Sequence, residues 1–366
     1  MDAERYNRQI ILKGFGKEAQ QRLAEARVLI IGAGGLGCPA LQYLAASGVG
    51  HIGIVDDDTV SLSNLHRQIL FGTNDIGKPK VEVAVKRLKE MNPEIEICAY
   101  PLRVQKDNIL GLLRDYDFIF DGTDNFESRY IINDACALLQ KPLIFAAVSD
   151  YEGQLSVFNV NDEQNQRTNY RDLFPVQPGV GEIPNCAENG VLGVLPGIIG
   201  TMAAAEIIKL ATGIGQPLIN KLLHYNLLNQ EKYEMSISPA DNYFLPKTEE
   251  ELLTMDYERY CVTTGYKEID PVQMQALQNE GSTVVIDVRE RHESPILNTK
   301  IFVQSPMSEF EAFLQKDIPE KNVIFLCQHG IRSITAAEAF AEKYGNTKNV
   351  YNLKGGIVKW RDHFKR

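Results

Sequence analysis

Arg27-Val28-Leu29-Ile30-Ile31-Gly32-Ala33-Gly34-Gly35-Leu36-Gly37 opens a run that closes at Asp56-Asp57-Asp58, and the reading of that run decides the fold. Val28 to Ile31 is a short apolar strand, Gly32 to Gly37 a glycine turn, and the alanine- and leucine-rich stretch behind it a helix. Ile52 to Val55 is a second strand, and it ends in acids. Strand, glycine turn, helix, strand and acid in that order predict a nucleotide-binding βαβ unit. Gly32, Gly34, Gly35 and Gly37 permit a tight turn in which backbone N–H groups at the helix N-terminus approach a phosphate closely. Asp56, with Asp58 beside it, stands where an acid accepts ribose hydroxyls. An adenine nucleotide is expected here.

Outward from this unit, 366 residues are long for one core and predict two domains. Apolar residues make up 44% and charged residues 23% of the chain, the balance of a globular protein. A net charge of −10 argues against nucleic acid or an anionic membrane as partner, because phosphates would be repelled. The N-terminal residues carry no secretory pattern. The longest apolar stretch, Val191 to Ala211, contains Glu206, Lys209 and several glycines, so it predicts a buried helix rather than a membrane span. A cytoplasmic location is expected. The six cysteines are scattered with no C-x-x-C pair, which excludes a disulfide scaffold and a zinc ribbon and leaves thiol chemistry.

Past the acids come Asn64, Arg67 and Gln68, then Gly77-Lys78-Pro79-Lys80 opening a long amphipathic helix. A dehydrogenase has no task for Arg67 and Lys80 so close to its ribose acid, whereas cleavage of a triphosphate needs cations to neutralise the departing pyrophosphate. Further on, Phe118-Ile119-Phe120-Asp121-Gly122-Thr123-Asp124-Asn125 is a strand ending in acids, and Asp121 and Asp124 there either ligate Mg²⁺ through carboxylate oxygen, cap a helix from Ser128 to Leu139, or divide the two tasks between them. Asn159 to Pro184 is polar and irregular, as functional loops are, and leads to Cys186. A helix is expected from Gly200 to Ala211, closed by Gly213. The acidic tract from Pro246 to Thr264 reads as a linker.

The last hundred residues begin a fresh α/β pattern. A strand, Val323 to Leu326, runs into Cys327-Gln328-His329-Gly330-Ile331-Arg332-Ser333 and then an alanine-rich helix. Backbone N–H groups and a helix dipole converge on such a sulfur and favour an anion there, which suits a thiolate or a persulfide. Four residues separate Cys327 from Arg332, one fewer than a cysteine-dependent phosphatase uses to wrap a phosphate. The tighter cradle suits a smaller anion such as sulfane sulfur.

With these pieces in view, residues 1–245 resemble the adenylyltransferases of the MoeB, ThiF and HesA family, relatives of the ubiquitin-activating enzymes. The likeness is carried by Arg5-Tyr6-Asn7-Arg8-Gln9, the Gly32 to Gly37 loop, Asp56 to Val60, Ser63 to Gln68, Gly77 to Lys80 and Asp121 to Asn125. Residues 265–366 resemble a single rhodanese domain through Asp287-Val288-Arg289, the Cys327 loop and Gly355-Gly356, which leaves 246–264 between the two. The resemblance implies an α/β protein, a Rossmann-like domain with a mixed sheet followed by a smaller α/β domain. It implies that ATP activates the C-terminal glycine of a small ubiquitin-fold sulfur carrier with a Gly-Gly tail. Asp56 would hold the ribose, Arg67 and Lys80 the phosphates and Asp124 Mg²⁺, with Asn64 and Gln68 completing the pocket. Arg8 would reach into the partner's site of a homodimer. A persulfide on Cys327, loaded by a donor such as a cysteine desulfurase and flanked by Arg332, would then attack the acyl-adenylate to give a thiocarboxylate. Cys186 matches the cysteine that follows the family's crossover loop, where it either releases sulfur, forms a thioester or serves structure alone.

Two departures stand out. Many relatives carry zinc on two C-x-x-C pairs, whereas this chain reads Asn169-Tyr170-Arg171-Asp172 at the first and has no second near 242–246, so no zinc site is expected. Ser294 to Ser305 replaces the usual Gly-His-Ile segment of a rhodanese, so that edge is expected to be trimmed. Two other readings of the same residues are a nicotinamide-dependent oxidoreductase fused to a rhodanese, and a non-catalytic carrier-binding scaffold.

Overall fold

The computed structural model describes residues 4–175, 177, 190–241, 243–257, 266–316, 318–330, 332–344 and 347–360. The described residues up to Tyr257 form one compact unit and those from Tyr266 onward a second.

The first unit is built on eight strands: β1 (Arg27–Ile31), β2 (His51–Val55), β3 (Glu96–Tyr100), β4 (Phe118–Asp121), β5 (Leu143–Ser149), β6 (Glu152–Phe158), β7 (Lys221–Asn226) and β8 (Lys232–Ser236). They lie in the order β3-β2-β1-β4-β5-β6-β7-β8. The first five are parallel and the last three run antiparallel to their neighbours, so the sheet is mixed. Parallel strands covered on both faces must be apolar throughout. Val28, Leu29, Ile30 and Ile31 accordingly are all buried, some facing a core with the helices Gly37–Ser47 and Val194–Thr212, the others a core with Ile109–Arg114 and Phe126–Leu138. Each such side chain contributes about 1.5–3 kcal/mol of burial.

The helix Val194–Thr212 begins six residues before the predicted start, and Gly213 closes it in the left-handed conformation, as expected. It has the length and apolarity of a membrane span, yet Leu195, Ile199, Ala203, Ala204 and Ile207 are buried in the core. A side chain at Gly200 would lie 2.2 Å from the carbonyl oxygen of Leu36, so small residues set this close crossing. The tract read as a linker is corrected in its first half. Glu249–Thr254 is a helix whose N-cap is Thr248, and Leu252 is fully buried against the second core. Apolar residues spaced among the acids had a face to cover. Residues 258–265 lie outside the described residues.

The second unit has five parallel strands, β9 (Tyr266–Ile269), β10 (Thr283–Asp287), β11 (Phe302–Gln304), β12 (Asn322–Leu326) and β13 (Asn349–Leu353), in the order β11-β10-β12-β13-β9. The expected trimming is also corrected. The segment after Asp287-Val288-Arg289 still supplies the edge strand β11, in register from Val285↔Phe302 to Asp287↔Gln304.

Candidate functional site

β1 sits where strand order reverses, with β2 and β3 on one side and β4 on the other, and in such sheets the crevice opens at the carboxyl ends of the strands. A cavity of about 430 Å³ lies there, within the range of small-molecule sites. Its walls bring together Gly32, Gly34, Gly35, Asp56, Asp58, Asn64, Arg67, Gln68, Lys80 and Asp124.

Gly32 has φ of +97°, and a side chain on it would lie 2.8 Å from the carbonyl oxygen of Gly122 at the end of β4. Gly37 does not line the cavity. It is required because a Cβ there would lie 1.9 Å from the carbonyl oxygen of Gly32. Asp56 ties the turn to β2, accepting hydrogen bonds from the N–H groups of Ala33 at 2.8 Å and Asp58 at 2.9 Å. Burial raises the Asp56 carboxyl above its ordinary range, and Lys80 and those two N–H groups pull it back. The Lys80 ammonium, almost wholly buried, lies 2.8 Å from Asp58 and 3.8 Å from Asp56. Oxygens of Asp56, Asp57 and Asp58 lie within 4.8 Å of one another, a charge density that one buried ammonium offsets.

Arg67 donates to the Ser63 carbonyl and lies 2.8 Å from His66 Nε2. Gln68 is buried, and its Oε1 has no hydrogen-bond partner among the described residues. A buried acceptor left open in a cavity wall is a place for a ligand donor.

The capping reading is corrected. Asn125, not an acid, caps the helix Phe126–Leu138 by accepting the Ser128 N–H at 2.9 Å. Asp121 is fully buried and accepts from the N–H and hydroxyl of Thr123, while burial pushes its carboxyl up. That leaves Asp124 exposed on the cavity wall. Leu102, Val104 and Arg129 also line the cavity and were not singled out in the sequence. Arg129 Nε lies 3.6 Å from Asp121, and its Nη2 donates to the Thr123 carbonyl at 2.8 Å. Arg8 stands apart, exposed on the short helix Asn7–Ile10 and not among the cavity residues. Cys186 lies outside the described residues.

In the second unit Cys327 is 1% exposed at the end of β12. Its sulfur accepts from the Gly330 N–H at 3.1 Å and the Ser333 hydroxyl at 3.4 Å. Arg289, also 1% exposed, is bound to Asp287 and reaches Gln328 at 3.1 Å, holding the loop next to the sulfur. Arg332 makes two bonds to Glu293, of 2.6 and 2.7 Å. Burial alone would raise the Glu293 carboxyl, but Arg332 and the Glu290 N–H hold it below the usual range, so it is ionised at neutral pH.

At the two places where many relatives carry zinc cysteines, the described residues are joined by other groups. Asn169 donates to Tyr243 at 2.6 Å, and Tyr243 and the Ala240 N–H both donate to Asp172, at 2.7 and 2.6 Å. These amide, phenol and carboxylate groups fasten the two segments and include no thiolate. Beneath them Arg171 grips the fully buried Asp134 with two bonds of 2.7 Å, and the Tyr257 hydroxyl donates to Asp134 at 2.9 Å. Removing one member strands a buried charge, so Asp134→Ala is expected to cost about 3–5 kcal/mol. Thermal unfolding checks this, and EDTA is expected to leave the midpoint of the unaltered protein in place.

A glycine-turn crevice lined by cations and acids, on a chain that also carries a cradled cysteine, defines the class of a nucleotide-dependent activating enzyme joined to a sulfur-handling domain. The chain belongs to the ThiF family: the family model matches residues 6–244, and the rhodanese-like domain model matches residues 270–363. It is 46% identical over 268 residues to the sulfur carrier protein adenylyltransferase of Thermus thermophilus, covering 71% of this chain and 97% of that one. It is 37% identical over 371 residues to the probable adenylyltransferase/sulfurtransferase MoeZ of Mycobacterium tuberculosis, covering 98% and 93%. It is 32% identical to the adenylyltransferase and sulfurtransferase MOCS3 of Xenopus laevis, covering 99% and 87%. The chain is thus an adenylyltransferase that also carries a sulfurtransferase domain. Escherichia coli MccB, solved with ATP, shares the fold of the first unit, with a TM-score of 0.54 at 22% identity over 61% of this chain and 68% of that one.

Proposed function

We propose that this enzyme uses ATP to adenylate the C-terminal glycine of a small ubiquitin-fold sulfur carrier and then replaces AMP with sulfur delivered by Cys327. The observation that carries the reading is the pairing, in one crevice, of Arg67 and the buried Lys80 with the Gly32–Gly37 turn. A carboxylate is a poor electrophile. Attack of its oxygen on the α-phosphate, with pyrophosphate leaving, gives an acyl-adenylate from which AMP can depart.

In this reading Asp56 accepts the ribose hydroxyls, Gln68 Oε1 and Asn64 fix the nucleotide, and Arg67 and Lys80 neutralise the pyrophosphate. Carboxylate oxygen suits a hard cation, so Asp124 would hold Mg²⁺, which when bound supplies positive charge to the phosphates. The carrier's Gly-Gly tail brings the reacting carboxylate. A persulfide donor such as a cysteine desulfurase loads Cys327 in the cytoplasm, where the free thiols of the described cysteines persist.

The enzyme acts as a homodimer in this proposal, with Arg8 completing the partner's crevice. An apolar groove beside Arg67, lined by Pro39, Tyr43, Ile69, Met91, Val194 and Ile198, supports it, since exposed apolar faces of this kind are covered by association.

Exchange of labelled pyrophosphate into ATP tests the reading. Exchange is expected only when a candidate carrier is present, and absence of exchange with every Gly-Gly-tailed carrier, in folded protein, would sink it.

A further inference from the structure

Every arginine described around the Cys327 loop already has a carboxylate. Arg289 holds Asp287, Arg291 holds Glu309 at 2.8 Å, and Arg332 holds Glu293 through both of its terminal nitrogens. The third pair matters most, because Arg332 opens the helix Arg332–Tyr344 directly after the loop. Glu293 is itself anchored, accepting the Glu290 N–H at 2.8 Å, and the two side chains of the pair are only 20% and 29% exposed. An incoming anion meets a guanidinium whose two terminal nitrogens already hold a carboxylate.

We propose that Glu293 is a specificity-determining residue that, by occupying Arg332, closes the Cys327 site to small dianionic sulfur donors and leaves it open to organic persulfides. This rests on Cys327 carrying the transferable sulfur.

The two donor classes differ in the charge they bring. With thiosulfate, the Cys327 thiolate attacks the outer sulfur, the S–S bond breaks, and sulfite leaves with the bonding electrons. The dianion and its dianionic leaving group need an open cation, and Glu293 competes for that cation directly. With an organic persulfide RS–SH, the thiolate attacks the outer sulfur, RS⁻ leaves with the bonding electrons, and the proton stays on the transferred sulfur. One negative charge is spread over small backbone donors, and the Gly330 N–H already points at Cys327 Sγ. No second cation is required.

Glu293→Gln in the full chain is the test, because the amide keeps the shape and can still accept the Glu290 N–H while losing the charge. Sulfite release from thiosulfate and loading of Cys327 from glutathione persulfide, read as the gain of one sulfur in the mass of the Cys327 peptide, are measured side by side. KM for thiosulfate is expected to fall roughly tenfold, as when one competing carboxylate is taken from a partly exposed guanidinium. The ratio of thiosulfate to persulfide use is expected to rise in step. Glu293→Asp, which keeps the charge, is expected to hold that ratio near the wild-type value. If Glu293→Gln still loads from glutathione persulfide and the ratio does not move, the inference is overturned. If the unaltered protein loads Cys327 from neither donor, the sulfur-transfer reading itself fails and this inference goes with it.

Discussion

Cys327→Ala is expected to keep carrier-dependent pyrophosphate exchange at the wild-type level and to abolish thiocarboxylate formation. The argument begins with what the sulfur touches. Cys327 directly follows a strand whose every residue is buried, and its Sγ takes hydrogen bonds from Gly330 and Ser333. Alanine removes one buried atom and leaves the strand, so the cost in stability is on the order of 1 kcal/mol, too little to unfold the domain. What is lost is the nucleophile, and no neighbouring hydroxyl replaces a thiolate's reactivity toward an acyl-adenylate at neutral pH. Exchange reports only the step at the glycine-turn crevice, whose lining residues all belong to the first unit. The mass of the carrier tail, read before and after reaction, separates adenylation from sulfur transfer. Loss of both activities in protein that remains folded would overturn the division of labour between the two domains.

The parts of the site that were legible in the sequence are those whose reason is local. Gly32 and Gly37 are dictated by backbone approaches too close for any Cβ, and Asp56 follows from a strand of fixed length. The parts that were not legible come from distant segments meeting. Leu102, Val104 and Arg129 reach the crevice only because parallel pairing puts the ends of β3 and β4 beside that of β2 and β1, and nothing in their own neighbourhoods marks them. Glu293 and Arg332 are 39 residues apart, so their pairing could not be read from either motif. The misplaced cap has another cause. Asp121, Asp124 and Asn125 all have side chains able to cap, and only the depth of Asp121 in the sheet removes it from competition. The acidic tract 249–254 misled in the opposite way, since the charge run masked a Thr248 cap and one buried leucine.

Lys80→Ala is expected to lower carrier-dependent exchange by about 10²–10³-fold, the usual cost of deleting a preorganised charge at a developing anion. The ammonium is nearly inaccessible to solvent and lies between Asp56 and Asp58, so its place is set before any nucleotide enters. Deleting it acts twice. The departing pyrophosphate loses a cation, and three carboxylates with oxygens within 4.8 Å of one another are left facing a polyanion. Lys80→Arg keeps the charge but not the point geometry, so partial recovery is expected. A rival explanation is that Lys80 merely quiets those acids, and Asp58→Asn in the Lys80→Ala background decides between the two. Relief of repulsion alone would bring exchange most of the way back. If Lys80 meets the phosphates, the double variant recovers only the weaker nucleotide affinity, and the turnover at saturating ATP stays low.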